Sequence, residues 1–243
     1  MYSTAHPYTR SSENIHLMFD RIAARYDFLN GLLSFRCDTA WRKRVALHLP
    51  RRSKLFVLDL ATGTGDLIIA IIKECTAAVK TVGMDISREM LKIGKEKIKL
   101  NCIERKVDFV RGNAQSLNFP DNTFDAATMG FGIRNVEKAD MALNEIYRVL
   151  KPGGRAVILE FSLPANRVFR FFYLFYFRIM VPFIGALLSG DSHAYRYLNR
   201  SVEAFPHGQA FCEFLVKSGF SDVHFTALGF GIATIYQGDK KII

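Results

Sequence analysis

Two glycines and one aspartate are spaced in a way that suits the binding of a nucleoside. Gly63 and Gly65 follow a short apolar run at residues 55–60, and Asp85 lies twenty residues after Gly65, at the end of a second apolar segment. Glycines let a backbone turn sharply and approach a ligand closely. A carboxylate at the tip of the next strand can accept hydrogen bonds from both hydroxyls of a ribose. Together these residues indicate a nucleoside site.

The third glycine of a dinucleotide-binding turn is replaced in this chain. Three residues after Gly65, where that glycine would stand, the sequence has Ile68. The pattern therefore favours a nucleoside without a pyrophosphate, as in S-adenosylmethionine, over a dinucleotide. A purely structural alternative stays open, in which the glycines only join a strand to a helix and Asp85 caps the helix that begins near Ser87.

The elements that would position these residues alternate along the chain. Apolar strands and helices follow one another from residue 55 to residue 161, which predicts a parallel, doubly wound α/β sheet with helices on both faces. Two more strands are predicted at 221–227 and 231–236, which makes seven strands in a mostly parallel sheet. In open α/β sheets the ligand crevice lies at the carboxyl ends of the strands, near the point where the strand order reverses.

Candidate site residues also follow the third and fourth predicted strands. Asn113 and Ala114 come after the third strand, where a polar group would meet the adenine. Arg134 and Asn135 lie in a glycine-flanked loop after the fourth strand, which would lie beside the first. We therefore expect this loop to face the same crevice as Asp85, with Arg134 on the substrate side.

Length and composition restrict the class of protein. The 243 residues suit one α/β domain, and the net charge of +10 is compatible with nucleic acid, an anionic membrane surface or an acidic ligand. No nucleic-acid-binding motif is recognisable, so no nucleic acid is expected as a partner. The polar start of the chain does not resemble a secretory signal. The scattered cysteines favour a reducing cytoplasm and disfavour a zinc site, since none form a Cys-x-x-Cys pair: Cys37, Cys75, Cys102 and Cys212.

Helical segments are predicted before the first strand. Residues 1–14 are expected to be a flexible terminus, and a single domain would span 15–243. Within it, apolar residues at helical spacing predict two helices over 15–50, which would form a lid over the cofactor. The alternative is that polar residues such as Tyr26 and Asn30 merely end helices.

An apolar, aromatic stretch explains the 21 phenylalanines of the chain. It lies at residues 168–184, within a predicted insertion at 165–208, and Arg170, Arg178 and Pro182 interrupt it. These residues disfavour a membrane-spanning helix. Three interpretations remain open: a helix that covers an apolar substrate cavity, a helix that rests on a membrane surface with its arginines among the headgroups, or an ordinary core helix.

Residues 59–66, with the sequence Asp-Leu-Ala-Thr-Gly-Thr-Gly-Asp, resemble motif I of the class I S-adenosylmethionine-dependent methyltransferases, and Asp85 resembles the acidic residue after their second strand. Further blocks resemble the ubiquinone/menaquinone biosynthesis C-methyltransferase family. These are residues 19–30, 132–136, 148–164 and 195–198. The resemblance covers the chain from about residue 15 to residue 237 and implies a Rossmann-like class I methyltransferase fold.

The resemblance implies transfer of a methyl group from S-adenosylmethionine to a ring carbon of a reduced polyprenyl quinone precursor. The substrate would be a polyprenyl naphthoquinol, with demethylmenaquinol converted to menaquinol. A benzoquinol of the ubiquinone pathway, or activity on both, is the alternative, and a methyltransferase-like protein that binds RNA or serves as a scaffold is the alternative of another class. The implied cofactor-binding residues are Asp59, Gly63, Thr64, Gly65, Asp85, Asn113 and Ala114.

The chemistry of such a reaction assigns three catalytic candidates. A carbon atom is a poor nucleophile unless a neighbouring hydroxyl carries negative charge, so we expect Arg134 and Asn135 to donate hydrogen bonds to that oxygen. Tyr26, or a water molecule it orients, would help to remove the proton. A sulfonium methyl is already activated, so the reaction needs alignment in a dry pocket and no metal is expected.

Three residues depart from the pattern of the family. Arg36 replaces the usual glycine after Ser-Phe, Gly130 stands where many members have serine, and His193 falls where an acid or a neutral polar residue is common. Either of the changes at Arg36 and His193 would be expected to affect the lid.

A cytoplasmic protein in peripheral contact with the inner face of the membrane is expected, and a homodimer is the assembly considered.

Overall fold

Seven strands form the sheet at the centre of the molecule. The structure is a computed structural model and describes residues 12–183 and 192–242. The strands are β1 (Leu55–Leu60), β2 (Ala78–Asp85), β3 (Val107–Arg111), β4 (Phe124–Gly130), β5 (Leu150–Phe161), β6 (Ser221–Leu228) and β7 (Ala233–Asp239). Their order is β3-β2-β1-β4-β5-β7-β6, with β7 antiparallel to both of its neighbours and the other pairs parallel. The predicted, mostly parallel seven-stranded sheet is confirmed.

Helices cover both faces of this sheet. They are α1 (Ser12–Leu33), α2 (Cys37–Leu47), α3 (Asp66–Glu74), α4 (Arg88–Leu100), α5 (Ala139–Val149), α6 (Arg167–Phe175), α7 (Ser192–Ala204) and α8 (Gln209–Lys217). A single helical turn, Ile133–Asn135, follows β4. After α6 the chain continues through the wider, π-type turns of Tyr176–Met180.

Alternate residues of β1 enter two separate apolar cores, as expected for a strand buried on both faces. Leu58 and Leu60 pack with residues of α5 and α8 on one face of the sheet. Leu55 and Val57 pack with residues of α2 and α3 on the other face. The central strand is therefore held rigidly at the point where its carboxyl end enters the glycine turn.

A smaller core lies outside the sheet and joins α1, residues 167–183 and α7. Residues 167–183, which comprise α6 and the helical turns after it, are called the α6 region below. Tyr173, Phe177 and Val181 are buried there at intervals of four residues, against Leu29 of α1 and Val202 of α7. This spacing gives one buried helical face. The opposite face of the same stretch is exposed, so the interpretation of residues 168–184 as an ordinary core helix is disfavoured.

Several predicted boundaries differ from the structure. The sequence predicts a break at Gly31, but helix α1 continues through this residue to Leu33, and a Cβ atom added at Gly31 would have no contact within 4 Å. The sequence predicts a turn at residues 151–154 and a fifth strand from residue 156, but strand β5 begins six residues earlier, at Leu150. Its pairing with β4 shifts register between Phe124 and Ala126, so the predicted turn at residues 151–154 is an irregular part of the strand.

Candidate active site

Two adjoining cavities open at the carboxyl ends of the central strands. The first, of about 120 Å³, lies where β1, β2 and β4 end, which is where the strand order reverses. The second, of about 470 Å³, lies among α1, α2, the α6 region and α7. Phe19 of α1 and Phe131, which follows β4, contribute to the walls of both. The first is called the nucleoside cavity below, and the second the apolar cavity.

The glycine turn after β1 forms one wall of the nucleoside cavity. Gly63 has φ 54° and Gly65 has φ 80°, both in the left-handed region that favours glycine. The Gly63 N–H donates a hydrogen bond to Asp85 Oδ2 at 2.7 Å, and the Ser87 N–H donates to Asp85 Oδ1 at 2.9 Å. The turn and the end of β2 are therefore fixed to each other through Asp85.

Asp85 presents a half-buried carboxylate to the nucleoside cavity. Burial raises the pKa of Asp85, while the N–H groups of Ser87 and Gly63 lower it. A carboxylate has about four acceptor positions, so capacity remains for hydroxyl groups of a ligand. The helix cap is Ser87, whose side chain accepts the Met90 N–H at 3.1 Å. The alternative in which Asp85 caps α4 is therefore wrong.

Asp59 lies beneath the glycine turn and is fully buried. Its two carboxylate oxygens accept hydrogen bonds from the hydroxyls of Thr62 and Thr128, both at 2.6 Å. Burial raises the pKa of Asp59 to about 7, against the opposing effect of the two hydroxyls. Asp59 does not contribute to the wall of the nucleoside cavity, so the structure places it in support of the turn.

Thr64 and Gly65 also lie behind this wall, where Thr64 contacts α1. The Thr64 hydroxyl donates to Asp27 Oδ1 at 2.7 Å, and Lys97 Nζ donates to Asp27 Oδ2 at 2.8 Å. Lys97 also forms an ion pair with Asp66 at the start of α3. Nearer the start of α1, Asp20 accepts a hydrogen bond from the Ser87 hydroxyl. Helix α1 is thus fixed across the two cavities by polar contacts with three other segments.

Asn113 and Ala114 line the nucleoside cavity, as predicted for residues after β3. Gly130 lies in the wall as well, and a Cβ atom added there would meet Leu67 Cδ2 at 3.1 Å, a tight contact with a flexible side chain. The cavity thus gathers Gly63, Asp85, Asn113 and Ala114, which lie far apart in the sequence.

Arg134 is a buried cation in the wall of the apolar cavity, with only 7% of its surface exposed. Its Nη1 donates to Glu160 Oε1 at 2.6 Å and to the Phe131 carbonyl at 2.7 Å, and its backbone N–H donates to Glu160 Oε2 at 3.3 Å. Glu160 is fully buried. The Nε of Arg134 is buried too, and within residues 12–183 and 192–242 it has no hydrogen-bond partner.

Asn135 lines the nucleoside cavity beside Arg134. Its Nδ2 donates to the Phe131 carbonyl at 3.4 Å, and its Oδ1 accepts the Tyr197 hydroxyl at 3.1 Å. In the sequence, Tyr197 and Glu160 are distinguished only as members of the blocks that resemble the family. The structure gives them contacts: Glu160 holds Arg134, and Tyr197 holds Asn135.

The remaining wall of the apolar cavity is mainly aromatic, with several aliphatic side chains, Asn30 and one further polar cluster. Ser34, Asp38 and Arg42 form this cluster, at the end of α1 and in α2. No motif in the sequence marks these three residues. The aromatic side chains are Phe19, Phe35, Trp41, Phe131, Phe161, Phe169, Phe172, Tyr173, Tyr176, Phe177, Tyr197 and Phe230.

Comparison with known sequences identifies the family of the chain over most of its length. The profile of the ubiE/COQ5 methyltransferase family matches residues 8–240. The chain belongs to this family. It is 47% identical to the demethylmenaquinone methyltransferase of Thermus thermophilus over 224 residues, which are 92% of this chain and 100% of that protein. It is 43% identical to the ubiquinone/menaquinone biosynthesis C-methyltransferase UbiE of Geobacter sulfurreducens over 239 residues, 98% of this chain and 93% of that protein.

The fold of this ubiE/COQ5 family member is that of the class I S-adenosylmethionine-dependent methyltransferases. A solved methyltransferase of this kind from Thermotoga maritima superposes with a TM-score of 0.65 at 20% identity, and the match covers 92% of this chain and 98% of that structure. Such a low identity carries the fold alone. The predicted Rossmann-like methyltransferase fold is thereby confirmed.

Of the residues that depart from the family pattern, Arg36 lies between α1 and α2, and His193 lies in α7. Arg36 has φ 60° and joins α1 to α2, in the left-handed conformation that favours glycine. The side chains of His193 and of the catalytic candidate Tyr26 lie outside the described part of the structure, so the role of Tyr26 stays a prediction. In residues 12–183 and 192–242 no three His, Cys, Asp or Glu side chains are placed to hold a metal ion.

The buried carboxyl of Asp59 predicts a pH-dependent stability. Its folded-state pKa of about 7 exceeds the unfolded value of about 3.9, so the folded protein binds a proton that the unfolded chain releases. The free energy of unfolding therefore falls as pH rises through this window, and the contribution disappears in Asp59→Asn. Urea unfolding at pH 5 and pH 7 should show a decline for the wild type that exceeds the decline for the variant by about 2 kcal/mol.

Asp125→Asn is the matched control for this measurement. Burial raises the pKa of Asp125, but the Phe56 N–H, Lys151 and Arg52 outweigh burial and hold it below its usual value. Asp125 is therefore ionised in both states above pH 5, and its removal should leave the slope between pH 5 and pH 7 unchanged. Equal slopes for the wild type and Asp59→Asn would contradict the assignment.

Proposed function

We propose that this protein is an S-adenosylmethionine-dependent C-methyltransferase that converts demethylmenaquinol to menaquinol. The observation that carries the proposal is the adjacency of two cavities of different chemistry, which share Phe19 and Phe131. One suits a nucleoside and the other a large aromatic ring with an apolar tail. The name of the Thermus thermophilus relative supports the naphthoquinol as the substrate.

The nucleoside cavity fits S-adenosylmethionine, which supplies a methyl carbon already activated by a positively charged sulfur. Asp85 would accept hydrogen bonds from the ribose hydroxyls, and Gly63 would allow the backbone to approach closely. Asn113 and Ala114 would contact the adenine. Asp59, Thr64 and Gly65 would act through the shape of the turn, since the contacts of Asp59 and Thr64 are with neighbouring side chains.

Arg134 would stabilise the negative charge that develops on the hydroxyl oxygen next to the reacting carbon. A buried donor without a partner is costly, so the unpaired Nε suits a ligand that brings an acceptor. Glu160 occupies Nη1 and fixes the plane of the guanidinium group. Asn135, held by Tyr197, would donate to the same oxygen.

The bond changes of the reaction balance without an added oxidant or metal. The hydroxyl loses its proton, and the ring carbon beside it forms a bond to the methyl carbon while the bond from methyl to sulfur breaks. S-adenosylhomocysteine leaves, and the ring carbon then loses its hydrogen as a proton and regains aromaticity. Water or Tyr26 would accept the proton from the hydroxyl, since an arginine side chain stays protonated in proteins and has no acceptor position.

The reduced ring offers a direct test. Purified protein is given labelled S-adenosylmethionine with demethylmenaquinol, or with a benzoquinol that carries the same tail, under reducing conditions. Methylation of the naphthoquinol alone is the expected result. Methylation of both would assign a dual activity, for which the ubiquinone/menaquinone name of the Geobacter sulfurreducens relative is the supporting observation. Cofactor binding without methylation of either quinol would overturn the proposal.

Arg134→Lys tests the role of the guanidinium group. Lysine keeps a positive charge beside Glu160, which avoids leaving a buried carboxylate unpaired, but it lacks the Nε donor. We expect kcat to fall about 100-fold, because one donor to the developing charge is lost. The dissociation constant for S-adenosylmethionine, measured by equilibrium dialysis, should stay near the wild-type value.

Arg178→Lys is the control for this substitution, because Arg178 pairs with Glu203 at the surface. Its kcat should equal that of the wild type. A large loss of cofactor affinity in Arg134→Lys, with kcat retained, would contradict the assignment of Arg134 to the substrate side.

We propose further that the protein contacts an anionic membrane surface, at the inner face of the cytoplasmic membrane, through the exposed side of the α6 region. No helix in the described ranges, 12–183 and 192–242, has the length and apolarity to cross a bilayer. Phe171, Phe172 and Phe175 are all more than half exposed, and Phe172 also lines the apolar cavity. The exposed Arg167, at the start of α6, suits anionic headgroups. A polyprenyl tail would then pass from the lipid into the cavity.

Vesicle sedimentation tests this contact. The double variant Phe171→Ser/Phe175→Ser removes two exposed rings of one helical face and leaves the lining of the cavity intact. Its affinity for vesicles with anionic lipid at low salt should fall at least about tenfold. Leu100→Ser, an exposed apolar residue in α4, should bind like the wild type. Failure of the wild type to bind would leave α6 only as a cover of the cavity.

A further inference from the structure

We propose that Ser34 and Asp38 form a hydrogen-bonding subsite in the apolar cavity that accepts an O–H group of a reduced aromatic ring. The subsite makes the cavity selective for a hydroquinone over the corresponding quinone. This inference rests on the proposed function, because it concerns the oxygen of the ring that lies opposite the one assigned to Arg134.

Within the cluster, the Ser34 hydroxyl and an Arg42 N–H are both directed at Asp38, so Ser34 keeps no hydroxyl hydrogen for a ligand. The Ser34 hydroxyl donates to Asp38 Oδ1 at 2.7 Å, and Arg42 donates to Asp38 Oδ2. Burial raises the pKa of Asp38, but Arg42, Ser34 and the Thr39 N–H outweigh it and hold the pKa below its usual value. Asp38 is therefore an ionised acceptor, and Ser34 Oγ presents lone pairs to a ligand.

This cluster and Arg134 are two separate polar places in a mainly aromatic wall. The guanidinium carbon of Arg42 lies 5.5 Å from the centroid of the Phe131 ring, and that of Arg134 lies 5.2 Å from the centroid of Phe161. The two rings are neighbours, with centroids 4.4 Å apart. The Arg134 guanidinium thus lies at one ring of the pair, and the Arg42–Asp38 ion pair, which carries the acceptor oxygens, lies near the other.

A hydroquinone matches these two places with its two oxygens. The oxygen that becomes negative needs a donor, which Arg134 supplies, and the opposite oxygen keeps its hydrogen and needs an acceptor, which Ser34 and Asp38 supply. A quinone has two carbonyl oxygens and no O–H group. One carbonyl would face acceptors, and sites built to hydrogen-bond a ligand group strongly reject an analogue that lacks it.

Binding can be followed through Trp41, which is the only tryptophan of the chain and lines the cavity. Quenching of its fluorescence would be measured with demethylmenaquinol and with demethylmenaquinone, each carrying the same short tail, under anaerobic conditions without S-adenosylmethionine. We expect the wild type to bind the reduced form at least about tenfold more tightly. Ser34→Ala and Asp38→Asn should each lose this preference, chiefly through weaker binding of the reduced form.

Cys37→Ala is the matched control, because Cys37 lines the same cavity but forms no part of the cluster. It should keep the preference of the wild type. Equal affinities of the wild type for the two forms, or an unchanged ratio in both Ser34→Ala and Asp38→Asn, would overturn the subsite. If the wild type methylates demethylmenaquinol while the ratios stay unchanged, the subsite alone fails. If the wild type neither binds nor methylates the reduced ring, the proposed function fails with it.

Discussion

The hydrogen bonds of Asp59 join the two strands that carry the site. Its buried carboxylate accepts one hydroxyl from the glycine turn, through Thr62, and one from β4, through Thr128. The turn carries Gly63, and β4 leads into the loop that carries Arg134. A buried carboxylate is costly unless it is hydrogen-bonded, so the loss of either hydroxyl would weaken the connection. Asp59 thus adds a buried side-chain connection between the glycine turn and β4 to the backbone pairing of β1 with β4.

The sequence predicted those parts of the site in which local chemistry is tied to strand ends. Glycines at positive φ, an aspartate at the tip of β2 and a polar loop after β4 lie at one edge of any parallel sheet with this strand order. In this way the sequence predicts the positions of Gly63, Asp85 and Arg134 at the edge where the two cavities open. The sheet itself followed from the alternation of apolar strands and helices, since that pattern has few other packed solutions.

Contacts between distant segments could not be predicted in the same way. Glu160 is 26 residues from Arg134, and only the pairing of β4 with β5 brings the two side chains together. The sequence pattern does not mark Ser34 and Asp38, because their hydrogen bond forms near the corner where α1 ends and α2 begins. The periodicity of apolar residues does not predict the geometry of such a corner. The same corner places Arg36 in a left-handed conformation, which explains why glycine is usual there.

Helix α1 is a wall of both cavities, through Phe19. It is fixed there by polar contacts at its surface, from Asp20 to Ser87 and from Asp27 to Thr64 and Lys97. Because one helix contributes to both walls, any displacement of α1 would change both cavities together. The entry of the methyl donor and the entry of the acceptor would then be coupled through a single helix.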